Sequence, residues 1–337
     1  MLASTSTRCR VAALLLACGL ASCAGPSPNG APVPPVGPAT ARVTTTQSAH
    51  QSSRGLSPDS RPKDLKDLYV SDFADNAVKI LKNGTWRDAG VITAGINWPT
   101  GLFLDKRGNL YVANTFGANV TEYAPGAVTP SFTYSANAVA PYFVTADARG
   151  NVFVGDPGNG SASGQVYEYF QGFNATVAAC TPGQASGGNA GVYGVAVDAQ
   201  GDVFVDYRLP GGITGTMAEY PGGLTGCHQT TSPLTFNGPT GMALDAHDNV
   251  VLAEAQGGVV DVIAPPYTSI SRTLYAGFGV PIDVKLSKDN TRAFVTDGQS
   301  NTVEIVDYQT GANLMTLGAQ EGLSNVNGAV DGPNAIY

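Results

Sequence analysis

The stretch Pro99-Thr-Gly-Leu-Phe-Leu-Asp-Lys-Arg-Gly-Asn-Leu-Tyr-Val-Ala-Asn114 decides the fold. Gly101 to Leu104 reads as a short, almost wholly apolar strand, Asp105 to Asn109 as a turn, and Leu110 to Ala113 as a second apolar strand. The turn chemistry is explicit. An Asp side chain accepts hydrogen bonds from the turn backbone, and Gly108 supplies the left-handed conformation that tight connections need. Strands that are apolar at nearly every position are buried on both faces. An antiparallel hairpin meets that demand only when other sheets pack above and below it.

The same phrase returns from Pro141 to Asp156, Val192 to Tyr207, Pro239 to Glu254 and Pro281 to Thr296. Each copy is followed by a third segment that alternates better, as in Asn119-Val-Thr-Glu-Tyr123 and Thr302-Val-Glu-Ile-Val306, and by a more variable fourth. In the first unit Asn83-Gly84 marks a two-residue hairpin between the third and fourth strands. A four-strand unit recurring about every 40–50 residues is the signature of a propeller. The ends of the chain complement each other. Asp67 to Asp72 is a second strand with no apolar first strand before it, and Pro333-Asn-Ala-Ile-Tyr337 opens a sixth unit that goes no further. The expectation is an all-β, six-bladed β-propeller over residues 63–337. Asn334 to Tyr337 is expected to pair beside Leu68 to Ser71 and close the ring, which removes the sheet edge at the seam.

Tyr111-Val-Ala-Asn114 and Phe294-Val-Thr-Asp297, each with its following Asn-x-Val segment, resemble NHL repeats and the related YVTN repeats of exported bacterial propellers. The Pro-x-Gly opening followed by Asp-x-x-Gly-Asn is similar to the fold shared by the SMP-30/gluconolactonase group and virginiamycin B lyase. The resemblance covers residues 67–337 and implies the propeller. It leaves activity open, because one fold hosts many functions.

The first residues carry an address. Arg8 and Arg10 precede the apolar run Val11 to Leu20, which is too short to span a bilayer and has the order of a secretory signal. The run ends in Leu20-Ala21-Ser22-Cys23, which matches a bacterial lipobox. Residues 1–22 are therefore expected to be a lipoprotein signal peptide and Cys23 the lipidated (palmitate-bearing) residue. In such lipoproteins an Asp after the Cys signals inner-membrane retention, so Ala24 gives the outer membrane of a cell envelope that has one as the expected address. Residues 23–62 are rich in Pro, Ser, Thr, Gly and Ala, and the first aromatic residue is Tyr69. Such a segment cannot bury enough apolar area to offset its ordering entropy, and reads as a tether.

Loss of residues 1–22 leaves sixteen basic against twenty-six acidic residues. An acidic chain without Lys/Arg clusters argues against nucleic acid and against anionic lipid surfaces, so membrane contact is expected through the anchor alone. Cys180 and Cys227 are the cysteines left after Cys23. In an oxidising compartment they read as one disulfide, or as two independent small buried residues.

The lactonase resemblance implies a metal held by Asn or Asp at the middle position of the Pro-x-Gly openings. Those positions are Thr100, Tyr142, Tyr193, Thr240, Ile282 and Asn334, and one Asn does not make a hard-cation site. The lyase resemblance implies a channel His, whereas His50, His228 and His247 fall in the tether, a variable strand and a turn. No cofactor or metal is expected. The reading is a non-enzymatic binding or scaffold module for an envelope protein, peptide or glycan, with a lactonase-like or lyase-like hydrolase of atypical site as the alternative. Trp98, Tyr142, Tyr193, Tyr207 and Asn334 are the candidate ligand-binding residues on the entrance face. The set Asp72, Asn114, Asp156, Asp206, Glu254 and Asp297 reads as local loop caps at the ends of second strands.

Overall fold

A computed structural model describes residues 67–159, 163–183, 191–274 and 277–332. Residues 1–66, where the signal peptide and tether are expected, and residues 333–337, including Asn334, lie outside them.

The chain runs through β1 (Leu68–Asp72), β2 (Ala77–Leu81) and β3 (Asp88–Ile92), then through a second sheet of β4 (Pro99–Leu104), β5 (Leu110–Asn114), β6 (Asn119–Tyr123) and β7 (Phe132–Tyr134). The third sheet is β8 (Phe143–Ala146), β9 (Val152–Asp156), β10 (Gln165–Tyr169) and β11 (Thr176–Cys180). The fourth is β12 (Gly191–Val197), β13 (Val203–Arg208) and β14 (Thr214–Tyr220), with two short strands on β14, namely β15 (Thr230–Thr231) and β16 (Phe236–Asn237). The fifth is β17 (Pro239–Leu244), β18 (Val250–Glu254), β19 (Val259–Ile263) and β20 (Ile270–Leu274). The sixth is β21 (Pro281–Leu286), β22 (Arg292–Asp297), β23 (Thr302–Asp307) and β24 (Asn313–Leu317). The last strand, β25 (Val326–Asp331), returns to the first sheet and pairs antiparallel with β1. The strands β25, β4, β8, β12, β17 and β21 pack side by side around the axis. The protein is a six-bladed propeller closed by its C-terminal strand.

The closing strand is not the one expected from sequence. Val326-Asn-Gly-Ala-Val-Asp331 takes the seam, with Val70 opposite Ala329 and Ser71 opposite Gly328. It lacks the proline opening of most of the other inner strands, and Pro333 imitates that opening a few residues too late. The middle position of the sixth opening is therefore Asn327, not Asn334. The Asn83-Gly84 hairpin is also longer than expected. Leu81 pairs with Asp88, and Trp86 N–H donates to the Lys82 carbonyl at 2.7 Å inside the loop.

Both-face burial has its cause between the blades. Every residue of β4 and β5 is buried. One core layer joins Phe153 and Val166 of the third blade to Val205 and Tyr207 of the fourth, and another joins Phe294 and Val303 of the sixth to Val70 and Ala329 of the first. The repeated turns behave as read. Asp105 Oδ1 accepts from Arg107 N and Asn109 N at 2.8 Å each, and Asp147, Asp198 and Asp245 repeat the arrangement.

The Pro-x-Gly openings close the ring. The inner strands β4, β12, β17, β21 and β25 carry a register shift near their start, as between Pro99 and Leu102 against β5. The Gly101 N–H, freed from the ladder there, donates to the Tyr142 carbonyl of the next blade at 2.8 Å. Hydroxyls add further stitches: Thr100 Oγ1 to the Tyr142 carbonyl at 2.7 Å, and Thr296 Oγ1 to the Asn327 carbonyl at 2.8 Å. At Gly241 a Cβ would lie 2.7 Å from the Asp283 Cα, so only glycine permits that approach. Cys180 of β11 is bonded to Cys227, in a 3-10 turn after β14, with Cα atoms 5.5 Å apart. The disulfide ties the third blade to the fourth at the rim.

Candidate functional site

The inner strands enter the ring at one face, and the aromatic candidates divide there into three groups. Trp98 stacks on Phe116 with ring centroids 3.7 Å apart and touches Phe73 at 5.2 Å. Its backbone is left-handed (φ 54°), which turns the indole onto the face rather than into a blade. The turn is held by Asn76, whose Oδ1 accepts from Trp98 N at 2.6 Å. Phe116 is 42% exposed, an aromatic surface presented to solvent. Tyr142 and Tyr193 form a second group, meeting edge to face at 5.3 Å, with the Arg208 guanidinium 4.3 Å over the Tyr193 ring. Tyr207 belongs to neither. It is buried in the core layer between the third and fourth blades, so its assignment to a ligand face is corrected.

Most of the polar set at the ends of second strands braces loops. Asp72 accepts from Ser324 and Asn325, Asp156 from Val139 N and Ala140 N, Glu254 from Asn237 N, and Asp297 from Gly279 N and Val280 N. Asn114 takes Asn97 N at 3.0 Å and donates to Asn119 Oδ1. Asp206 is the exception. In the fourth blade Tyr207 pairs with Val192 as Asn114 pairs with Pro99, so Tyr207 holds the cap position and Asp206 the one before it. Because a strand alternates faces, that one-residue offset turns Asp206 onto the face beside Gly194 and Thr240 of the next blade. Aligning Val203-Phe-Val-Asp-Tyr207 with Leu110-Tyr-Val-Ala-Asn114 exposes the offset in the sequence itself.

Two further departures from the repeat act on the charge of Asp206. Where other inner strands carry Gly101, Gly194, Gly241 and Gly328, β21 carries Asp283, and two residues on, on the same face, Lys285. Lys285 Nζ donates to Asp283 Oδ1 at 2.7 Å and to the Met242 carbonyl at 3.2 Å. Phe143, at the same position of β8, reaches Lys285 with its ring 5.4 Å from Nζ. The third and sixth blades face each other across a six-bladed ring, so this contact fills the channel at mid-height. Beyond it, Lys285 lines a cavity of about 60 Å³ with Val144, Val195 and Met242.

The electrostatics follow from burial. Asp206 and Asp283 are both essentially inaccessible to solvent. Burial pushes Asp206 well above the usual carboxylate range, opposed by Arg208 and the Gly194 N–H and reinforced by Asp283. Burial raises Asp283 to about 6, opposed by Lys285. Gly194 N donates to Asp206 Oδ2 at 2.9 Å, while Asp206 Oδ1 and Asp283 Oδ2 have no partner. Among the described residues no three His, Cys, Asp or Glu side chains converge as metal ligands. His228 and His247 are exposed.

No protein-family model matches the chain, and no curated protein sequence does. Solved structures do match. A protein of unknown function from Bacteroides caccae superposes with a TM-score of 0.60 at 10% identity, over 80% of this chain and 98% of its own. A chain of the nidogen/laminin complex gives 0.62 at 14%, over 80% and 99%. A functionally unknown protein from Desulfotomaculum acetoxidans gives 0.57 at 11%, over 80% and 100%. At such identities the likeness is one of fold.

Proposed function

We propose that this chain is an exported, lipid-anchored binding module whose propeller presents its entrance face to a glycan of the cell envelope. The observation that carries the reading is the Phe73–Trp98–Phe116 stack, an aromatic surface left open at the channel mouth by a left-handed tryptophan. Aromatic faces bury the apolar side of a sugar ring, and the exposed Asn97 beside them offers the hydrogen bonds that its hydroxyls need. The Cys180–Cys227 bond supports an oxidising compartment. Leu20-Ala21-Ser22-Cys23 supplies the anchor, and an acidic head keeps the module off anionic lipid.

The test is binding of the purified protein to glycan arrays and to envelope fractions, with Trp98→Ala and Phe116→Ala beside it. Loss of binding by tenfold or more, with little change in melting temperature for Phe116→Ala, is expected. Retained binding in both variants, or capture of peptides and proteins alone, contradicts the glycan reading.

A further inference from the structure

The second and third blades carry matching residues around one space, until three side chains are lost together. Glu168 of β10 stands opposite Phe153 as Glu122 of β6 stands opposite Tyr111. Asp147, Arg149 and Asn151 of the third-blade turn answer to Asp105, Arg107 and Asn109 of the second. In the second blade the space is closed. Tyr134 Oη donates to Glu122 Oε2 at 2.7 Å and accepts from Gly172 N of the next blade at 3.1 Å. Arg107 Nη1 donates to Gln171 Oε1 at 3.0 Å. Tyr111 brings a second phenol beside Glu122.

The third blade has none of these three plugs. Cys180 lies opposite Val166 where Tyr134 lies opposite Val120, so a bonded cysteine replaces the phenol. Phe153 replaces Tyr111 without its hydroxyl. Gly222, two residues past β14, stands where Gln171 stands two residues past β10. The backbone registers the loss. A Cβ on Gly150 would run into Gln171 Oε1, whereas a Cβ on its counterpart Gly201 meets nothing within 4 Å. What remains is a cavity of about 220 Å³ between the third and fourth blades, at the turn end of the inner strands. That is far above the roughly 10–15 Å³ that one water needs. Of its lining, Phe153 and Leu224 are buried and Arg149, Gln200 and Thr225 are exposed, so the cavity has an apolar floor and opens to solvent. The Cys180–Cys227 bond, three residues past Leu224, fixes the loop that forms one wall.

Two acids of the lining are committed to their own turns, since Asp147 Oδ1 and Asp198 Oδ1 each accept two backbone N–H groups. Glu168 is half-buried, its Oε1 taking Asn151 Nδ2 at 3.3 Å, and the exposed Arg149 guanidinium has no hydrogen bond to another described residue. Relative to the second blade, the groups missing here are two hydroxyls and one amide carbonyl. We infer that this cavity binds a single N-acetylated amino sugar. One sugar hydroxyl donates to Glu168 as Tyr134 donates to Glu122, and the acetamido carbonyl accepts from Arg149 as Gln171 accepts from Arg107. A hydroxyl both donates and accepts, as the phenol does, and the apolar side of the ring covers Phe153. A sugar bearing a carboxylate fits worse, because three acids line the cavity against one guanidinium. A hard dication would need the turn carboxylates to give up their backbone donors. The cavity is lined by none of Phe73, Trp98 and Phe116, and the inference stands whether or not that stack holds a glycan.

The experiment is calorimetric titration of the full chain with N-acetylglucosamine, beside glucose and glucosamine. Saturable binding of N-acetylglucosamine is expected, with glucose about tenfold weaker for want of the carbonyl, the worth of one hydrogen bond to a charged group. Arg149→Ala removes an exposed side chain and should weaken N-acetylglucosamine by that factor while changing glucose little. Glu168→Gln should weaken both sugars. No saturable binding, equal binding of N-acetylglucosamine and glucose, a preference for glucosamine, or displacement of the sugar by calcium overturns the proposal. So does an affinity that survives Arg149→Ala and disappears in Trp98→Ala, which puts the sugar on the entrance face instead. If Glu168→Gln does not fold, the comparison of the two sugars on Arg149→Ala decides it.

Discussion

Asp331 shows at the scale of one residue what the closed ring costs. It ends β25 opposite Leu68, is buried, and leaves Oδ2 without a partner. Burial raises its carboxyl to about 7, against the pull of Arg292 and with the push of Asp289. The folded protein thus holds a proton there that the unfolded chain gives up near pH 4. The contribution of Asp331 to stability is full below about pH 4, falls as pH rises through the window from 4 to about 7, and is lost above it. Asp283 at about 6 and Glu254, raised to about 7 by burial beside Asp261, act in the same direction. Denaturant melts between pH 4 and 8 should show a loss of stability that is smaller in Asp331→Asn than in wild type by on the order of 4 kcal/mol. An equal loss in both would contradict the assignment. Asp206 was present in the sequence but hidden by a one-residue shift, since it imitates the loop-capping acids until its blade is aligned on Tyr207.

At the scale of elements, the sheets were legible because their signals were local. Apolar pairs of strands around an Asp-x-x-Gly-Asn turn declare themselves, and the turn hydrogen bonds repeat from blade to blade. The seam was legible in kind and misplaced in position, since strand pairing across the whole chain leaves no spacing to read and Pro333 resembles an opening. Burial of Tyr207 was hidden for the same reason, because it depends on the face of a neighbouring blade. The disulfide was one of two open readings, decided only when the third blade's outer strand met the turn after β14. Cross-linking positions 47 residues apart removes loop entropy from the unfolded chain, worth roughly 4 kcal/mol on the chain-entropy model. Cys180→Ser with Cys227→Ser should lower stability by that order in a urea melt. A loss under about 1 kcal/mol would mean that the link constrains little.

For the whole molecule, closure, entrance and buried acids are one argument. The ring closes because glycines and hydroxyls let inner strands touch, and the aromatic face and buried acids have fixed places only on a closed ring. The account therefore rests on β25 lying beside β1. Amide hydrogen exchange on the intact protein tests this most directly. The account predicts that the Leu68–Asp72 amides are protected as strongly as those of Leu110–Asn114, and that truncation after Asn325 abolishes the difference between them and the loops. Rapid exchange across Leu68–Asp72 in the intact chain would contradict it.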